Sequence, residues 1–151
     1  MTYIITCVII KYNNKDGVIV IEKHGRGYIY SIQYHIVWCT KYRKKVLKDG
    51  VIETLRQSLN KIAMDNKFTI LELSIPTDYV HILIDCSPQH YIPDIIKALK
   101  GVSARHLFKA HPEIKQQLWD GALWNPSYYV GTVSDTTGEQ IKRYIQNQKM
   151  E

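Results

Sequence analysis

The stretch Asp78-Tyr79-Val80-His81-Ile82-Leu83-Ile84-Asp85 constrains this chain more than any other. Its apolar and polar-capable residues alternate with a period of two, which is the signature of a half-buried strand. Side chains alternate between the two faces of a strand. Val80, Ile82 and Ile84 therefore share one face, and Tyr79, His81 and Leu83 share the other. At a rise of about 3.3 Å per residue, Tyr79 and His81 stand about 7 Å apart along that second face. One face is core, and the other carries two side chains able to act as ligands or acids.

The flanking segments give this strand its neighbours. Residues 68–75 read as a strand with Leu71, Leu73 and Ile75 on one face and Ile70, Glu72 and Ser74 on the other. Pro76-Thr77-Asp78 is a turn, so the two strands should pair as an antiparallel hairpin, with Glu72 neighbouring the His81 face. Residues 31–39 form another strand, with Ile32, Tyr34, Ile36 and Trp38 on one face and Gln33, His35, Val37 and Cys39 on the other. It runs into Thr40-Lys41-Tyr42-Arg43-Lys44-Lys45, a basic run with an aromatic inside it. A solvated loop is the plain reading; a phosphate-contacting segment with a stacking ring, as single-strand binders use, is the favoured one.

Two helices follow from apolar spacing. Asp49 is placed to cap a helix over residues 50–66, where Leu55, Leu59, Ile62 and Ala63 form one stripe. A second helix over residues 93–110 buries Ile92, Ile95, Ile96 and Leu99 and carries Lys97, Lys100, Arg105 and Lys109, which suit a nucleic-acid backbone. His111-Pro112 ends it, residues 118–126 form an aromatic loop, and residues 128–133 form a last strand. Trp119, Trp124, Tyr128 and Tyr129 offer stacking faces for unpaired bases, although aromatics at this density are more often core. Ahead of all this, residues 2–12 and 18–21 read as the two strands of a hairpin, and Gly25-Arg26-Gly27 as a linker.

Composition sets the class. A chain of 151 residues with 45% hydrophobic content fits one domain with a real core. A net charge of +6 points toward a polyanionic partner. Cys7, Cys39 and Cys86 form neither a CxxC pair nor a spaced zinc set, which suits a reducing, cytoplasmic setting. No apolar run approaches the ~20 residues that span a bilayer, so no membrane role is expected. The apolar start at Thr2–Ile10 runs into Lys11 without a cleavage site, unlike a signal peptide.

The last segment brings in chemistry. Thr136-Thr137-Gly138-Glu139 opens a helix with a capping box. At about 100° per residue, Ile141, Tyr144, Ile145 and Gln148 fall within one arc. Ile141 and Ile145 must face the core, so Tyr144 and Gln148 turn partly inward, where an unpaired amide costs about 1–3 kcal/mol. Histidine, glutamine and glutamate around a tyrosine suggest a hard divalent metal, magnesium or manganese, beside a phenol nucleophile. Such a pair can open a phosphodiester through a covalent phosphoryl-enzyme and later rejoin it.

Four ordered blocks carry a family resemblance. They are Tyr34-His35-Ile36-Val37-Trp38-Cys39-Thr40-Lys41-Tyr42-Arg43, Asp78-Tyr79-Val80-His81-Ile82-Leu83, Tyr129-Val130-Gly131-Thr132-Val133 and Ile141-Lys142-Arg143-Tyr144-Ile145-Gln146-Asn147-Gln148. Together they resemble the small single-tyrosine, IS200-like transposases of the HUH endonuclease superfamily, named for its His, bulky apolar residue, His motif. The resemblance covers residues 28–151 and leaves residues 1–27 as an N-terminal extension. It implies an α+β, ferredoxin-like (RRM-like) sandwich: an antiparallel sheet with helices on one face, plus a C-terminal helix carrying the tyrosine. It also implies a homodimer that acts on single-stranded DNA with hairpins at the ends of an insertion sequence.

Carried over by motif, Tyr144 matches the nucleophile that forms a 5′-phosphotyrosine and frees a 3′-hydroxyl. His81 matches the second motif histidine and Gln148 the third metal ligand, with Mg2+ or Mn2+ as the cation. Lys41, Arg43, Lys97, Lys100 and Arg105 are DNA contacts on charge and position. Tyr79 stands where the family has its first histidine. A neutral phenol, with a pKa near 10, is a poor ligand for magnesium. The metal site is then rebuilt with Glu72, Asp78 or water, or it is weakened and activity is reduced. A DNA- or RNA-hairpin-binding module that does not cut, and a purely structural protein, are the other readings.

Overall fold

Backbone groups in an apolar strand need partners, and pairing between strands supplies them. The computed structural model describes residues 3–5, 8–13, 18–118 and 120–133. The chain divides into two compact units, one made by Tyr34–Gly131 and the other by the rest.

In the latter unit, β1 (Tyr3–Ile5), β2 (Val8–Asn13), β3 (Val18–Gly25) and β4 (Tyr28–Tyr30) form a sheet in the order β1-β2-β3-β4. All three pairings are antiparallel. Asn13 opposite Val18 closes the expected hairpin. The single strand expected over residues 2–12 is instead two strands, with Ile5 opposite Val8, so that the segment satisfies its own backbone groups. Gly25-Arg26-Gly27 is no linker either. Gly25 pairs with Tyr28 across a turn in which Gly27 takes φ 83, a conformation that suits a residue without Cβ.

The other unit carries α1 (Gly50–Asn66), β6 (Thr69–Ser74), β7 (Tyr79–Cys86) and α2 (Ile92–Ala110), with most of β5 (Ile32–Cys39) and β8 (Tyr129–Thr132). The strands make one four-stranded antiparallel sheet in the order β6-β7-β5-β8, and the two helices pack on each other. The expected stripes are core except at one end: Leu55, Leu59, Ile62 and Ala63 on α1, and Ile95, Ile96 and Leu99 on α2, are buried, whereas Ile92 in the first turn of α2 is only partly covered. Ile36, Val80, Ile82 and Ile84 are fully enclosed. Asp49 does sit at the N-cap of α1, but with φ 46 and ψ −122 its side chain makes no capping bond. A capping side chain reaches the first amides from extended backbone, which Asp49 does not have.

The β6–β7 hairpin forms as expected, with one correction. Ile70 pairs with Ile84, but Glu72 pairs with Leu83 and Ser74 with His81, so the register shifts by one around Leu71. A bulge of this kind moves the residues before it to the opposite face. Ile70 and Leu73 therefore lie with Ile84 and Ile82 on the Val80 face, so Ile70 does not share a face with Glu72 and Ser74 as the sequence implied. The bulge keeps both apolar residues on one side while Glu72 and Ser74 take the side of His81.

Candidate functional site

The two central strands, β7 and β5, define the site because they are neighbours in the sheet. His81 on β7 and His35 on β5 have ring centroids 3.8 Å apart, with the planes crossing at 70°. Both are buried, at 4% and 3% exposure. Burial holds the His35 imidazole down at about 4, and burial together with the adjacent His35 does the same to His81. Removing a cation from water disfavours the charged form. At neutral pH both rings are therefore uncharged, the form that ligates metal. Nδ1 of His35 and Nε2 of His81 find no hydrogen-bond partner among the described residues.

Tyr79 shares the His81 face and is buried at 5% exposure, its hydroxyl also without a described partner. Burial first, and the neighbouring Asp78 carboxylate second, push its pKa up. Arg43 lies over its ring, 5.8 Å from the centroid, a cation–π distance. The side chain is thus a neutral phenol capped by a guanidinium. Glu72 shares the face of His81, but it is exposed and opposes Leu83, whereas Ser74 stands opposite His81.

Beside these rings the chain builds a basic, aromatic turn. The Thr40 amide donates to Asp78 O at 2.8 Å. The buried Thr40 hydroxyl is 2.8 Å from Lys44 O and 3.1 Å from Asp78 O. The Lys41 amide donates to Leu123 O and the Asn125 amide to Cys39 O, flanking a bridge between Thr40 and Trp124. Held at these points, a short helical turn at Lys41–Arg43 puts Tyr42 and Arg43 at φ 56 and 52, left-handed backbone that is unfavourable for residues with Cβ. Strain of this sort persists where the surroundings over-determine it. Tyr42 is left 67% exposed. Arg43 Nε donates to Asp78 Oδ2 at 3.0 Å, and Lys41 pairs with Asp120.

The other candidates divide. Lys97 and Arg105 are exposed on α2. Lys100 is turned to the loop before β8, its ammonium 2.7, 3.1 and 3.4 Å from the carbonyls of Asn125, Pro126 and Ser127. Burial lowers its pKa. Trp124 is core: it meets Trp38 edge to face at 5.8 Å, and its Nε1 donates to Ser103 Oγ at 3.1 Å. Tyr128 and Tyr129 are exposed. Tyr144 and Gln148 lie outside the described residues, as does Trp119. His35 was not singled out by the sequence argument. The alternation of β5 gave its face, but only the strand order reveals that this face adjoins His81.

Comparison with known proteins gives the family. Residues 28–148 match the family described as Transposase IS200 like. ISDra2 transposase TnpA from Deinococcus radiodurans is 48% identical over 126 residues, which is 83% of this chain and 90% of that protein. A crystal structure of a Deinococcus radiodurans R1 protein assigned as a transposase superposes with a TM-score of 0.73 at 52% identity, over 83% of this chain and 97% of that one. The structure of a REP-associated tyrosine transposase bound to a REP hairpin has a TM-score of 0.56 at 15% identity, over 80% of this chain and 67% of that one, a likeness of fold. The chain belongs to the IS200-like transposase family.

That family implies a divalent metal. The buried neutral imidazole of His81, its Nε2 without a partner among the described residues, fits one; the capped phenol of Tyr79 does not. Among the described residues no three His, Cys, Asp or Glu side chains gather to hold a metal by themselves. No helix among the described residues is long and apolar enough to cross a membrane.

Proposed function

We propose that this transposase nicks and rejoins single-stranded DNA at the ends of its insertion sequence, with Tyr144 as the nucleophile. The Tyr144 oxygen attacks the scissile phosphorus as its proton leaves. The bond to the 3′ oxygen breaks, that oxygen takes up a proton, and the 5′ phosphate stays on Tyr144. Attack by another 3′-hydroxyl reverses the step and joins strands, so the energy of the backbone bond is kept. His81 and Gln148 would hold Mg2+ or Mn2+, whose charge polarises the phosphodiester when it is bound. The buried imidazole of His81 at the motif position, its Nε2 without a partner among the described residues, carries this reading within a transposase family.

The remaining parts of the reading follow from the same likeness. Residues 28–151 would be the working domain, a ferredoxin-like sandwich with both helices on one face, acting as a homodimer in the cytoplasm. Lys41, Arg43, Lys97 and Arg105 would contact DNA phosphates, and exposed Tyr42 would stack on a base. Lys41 and Arg43 would exchange aspartate partners for phosphates. Lys100, given its three carbonyls, would act chiefly by shaping the loop that precedes β8. Hairpin recognition is supported by the fold likeness to a transposase whose structure holds a REP hairpin.

One observation favours a second reading. With a phenol where the family has its first histidine, the chain would bind DNA hairpins but cut poorly or not at all. The experiment that separates the two incubates the protein with labelled single strands from the ends of its element, plus Mn2+ or Mg2+, and resolves products on a denaturing gel. A covalent adduct that disappears in Tyr144→Phe is expected. Binding without any adduct would establish the hairpin-binding module instead.

A further inference from the structure

With Tyr79 at the position of the family's first motif histidine, β7 supplies one imidazole to this face, yet the neighbouring strand brings another beside it. We propose that His35 on β5 is a metal ligand in this chain, forming with His81 a two-imidazole site for a divalent transition cation. The inference rests on the metal-dependent reading of the site.

Four observations converge on it. The ring centroids lie 3.8 Å apart with the planes steeply crossed, so the two imidazoles are immediate neighbours, and imidazole nitrogens ligate at about 2.1 Å. Each ring is more than nine-tenths buried. Each keeps a nitrogen without a partner among the described residues, Nδ1 on His35 and Nε2 on His81. Buried polar atoms are seldom left so, because an unsatisfied one costs about 1–3 kcal/mol. A shared cation satisfies both at once. Tyr79 cannot take this part, because its phenol is buried beneath Arg43.

The chemistry of the donors sets the cation. Imidazole suits Zn2+, Ni2+ and Cu2+, for which Co2+ is a spectroscopic stand-in, whereas Mg2+ and Mn2+ prefer oxygen. A ligand on β5 beside one on β7 therefore gives the site two imidazoles drawn from two strands. Holding two strands to one ion also ties metal binding to the β5–β7 pairing rather than to β7 alone.

The full chain is titrated with Co2+ alone, without DNA, and followed by its visible absorption and by X-ray absorption at the cobalt edge. Two imidazoles per Co2+ are expected in the unsubstituted protein. His35→Phe, which keeps a ring but no nitrogen, is expected to weaken Co2+ binding roughly tenfold or more, since even outer-shell partners matter at that level. Adding Tyr79→His to that variant is expected to recover binding. A single imidazole in the unsubstituted chain, unchanged affinity in His35→Phe, or no Co2+ binding by the full chain would each overturn the proposal. The imidazole count needs no variant, so a misfolded His35→Phe protein does not blunt the test. An adduct at Tyr144 with only one imidazole on Co2+ would sink the His35 assignment and spare the proposed function. Two imidazoles without any adduct would do the reverse.

Discussion

Single residues on the β7–β5 face are set by burial more than by charge. His35 and His81, near 4 when folded against an ordinary 6.5, take up protons more readily in the unfolded chain. Their contribution to stability is therefore present above about pH 6.5 and lost as pH falls through about 4. The thermal midpoint of the metal-free protein should drop across that window, and a circular-dichroism melt at stepped pH measures it. A flat profile between those limits would show that the rings are not buried neutral. The Tyr79 hydroxyl has no described partner, so Tyr79→Phe should leave stability unchanged or raise it by about 1 kcal/mol, read by urea denaturation. A loss of 2 kcal/mol or more would reveal a bond to that oxygen.

At the level of elements, two short polar clusters hold the loops around the site. Thr40 ties the end of β5 to the start of β7 and to the basic turn through one enclosed hydroxyl. Thr40→Val keeps the shape and removes the donor, and should cost about 1–2 kcal/mol by chemical denaturation while loosening Tyr42. Faster quenching of tyrosine fluorescence would follow that loosening. Lys100 donates to three successive carbonyls from α2. Lys100→Met should destabilise the protein by about 1–3 kcal/mol, in the range of charged hydrogen bonds, yet leave the salt dependence of DNA binding nearly unchanged. An equal drop in that salt dependence would return Lys100 to the DNA contacts.

For the whole molecule, the +6 charge and the exposed cations of α2 predict electrostatic binding to single strands. Lys97→Ala and Arg105→Ala should each weaken binding and lower the slope of log affinity against log salt by about 0.7, the value for one phosphate contact on a single strand. Fluorescence anisotropy at several salt concentrations gives that slope directly. Unchanged slopes would place the DNA on another surface.

Local pattern determined much of this protein. Period-two alternation located β5 and β7, and helical stripes located α1 and α2, because burial of one face needs only that spacing. The motif blocks named the family before any coordinates, and His81 stood out from its neighbours. What sequence could not supply was anything that depends on two segments meeting. The bulge at Leu71, which moves Ile70 to the core face, is a matter of register with β7. The split of the first strand and the Arg26-Gly27 turn depend on which edges pair. His35 beside His81 depends on strand order, forty-six positions being bridged by one sheet spacing. Local pattern fixes which way a side chain points along its own strand, while only tertiary packing decides what stands across from it.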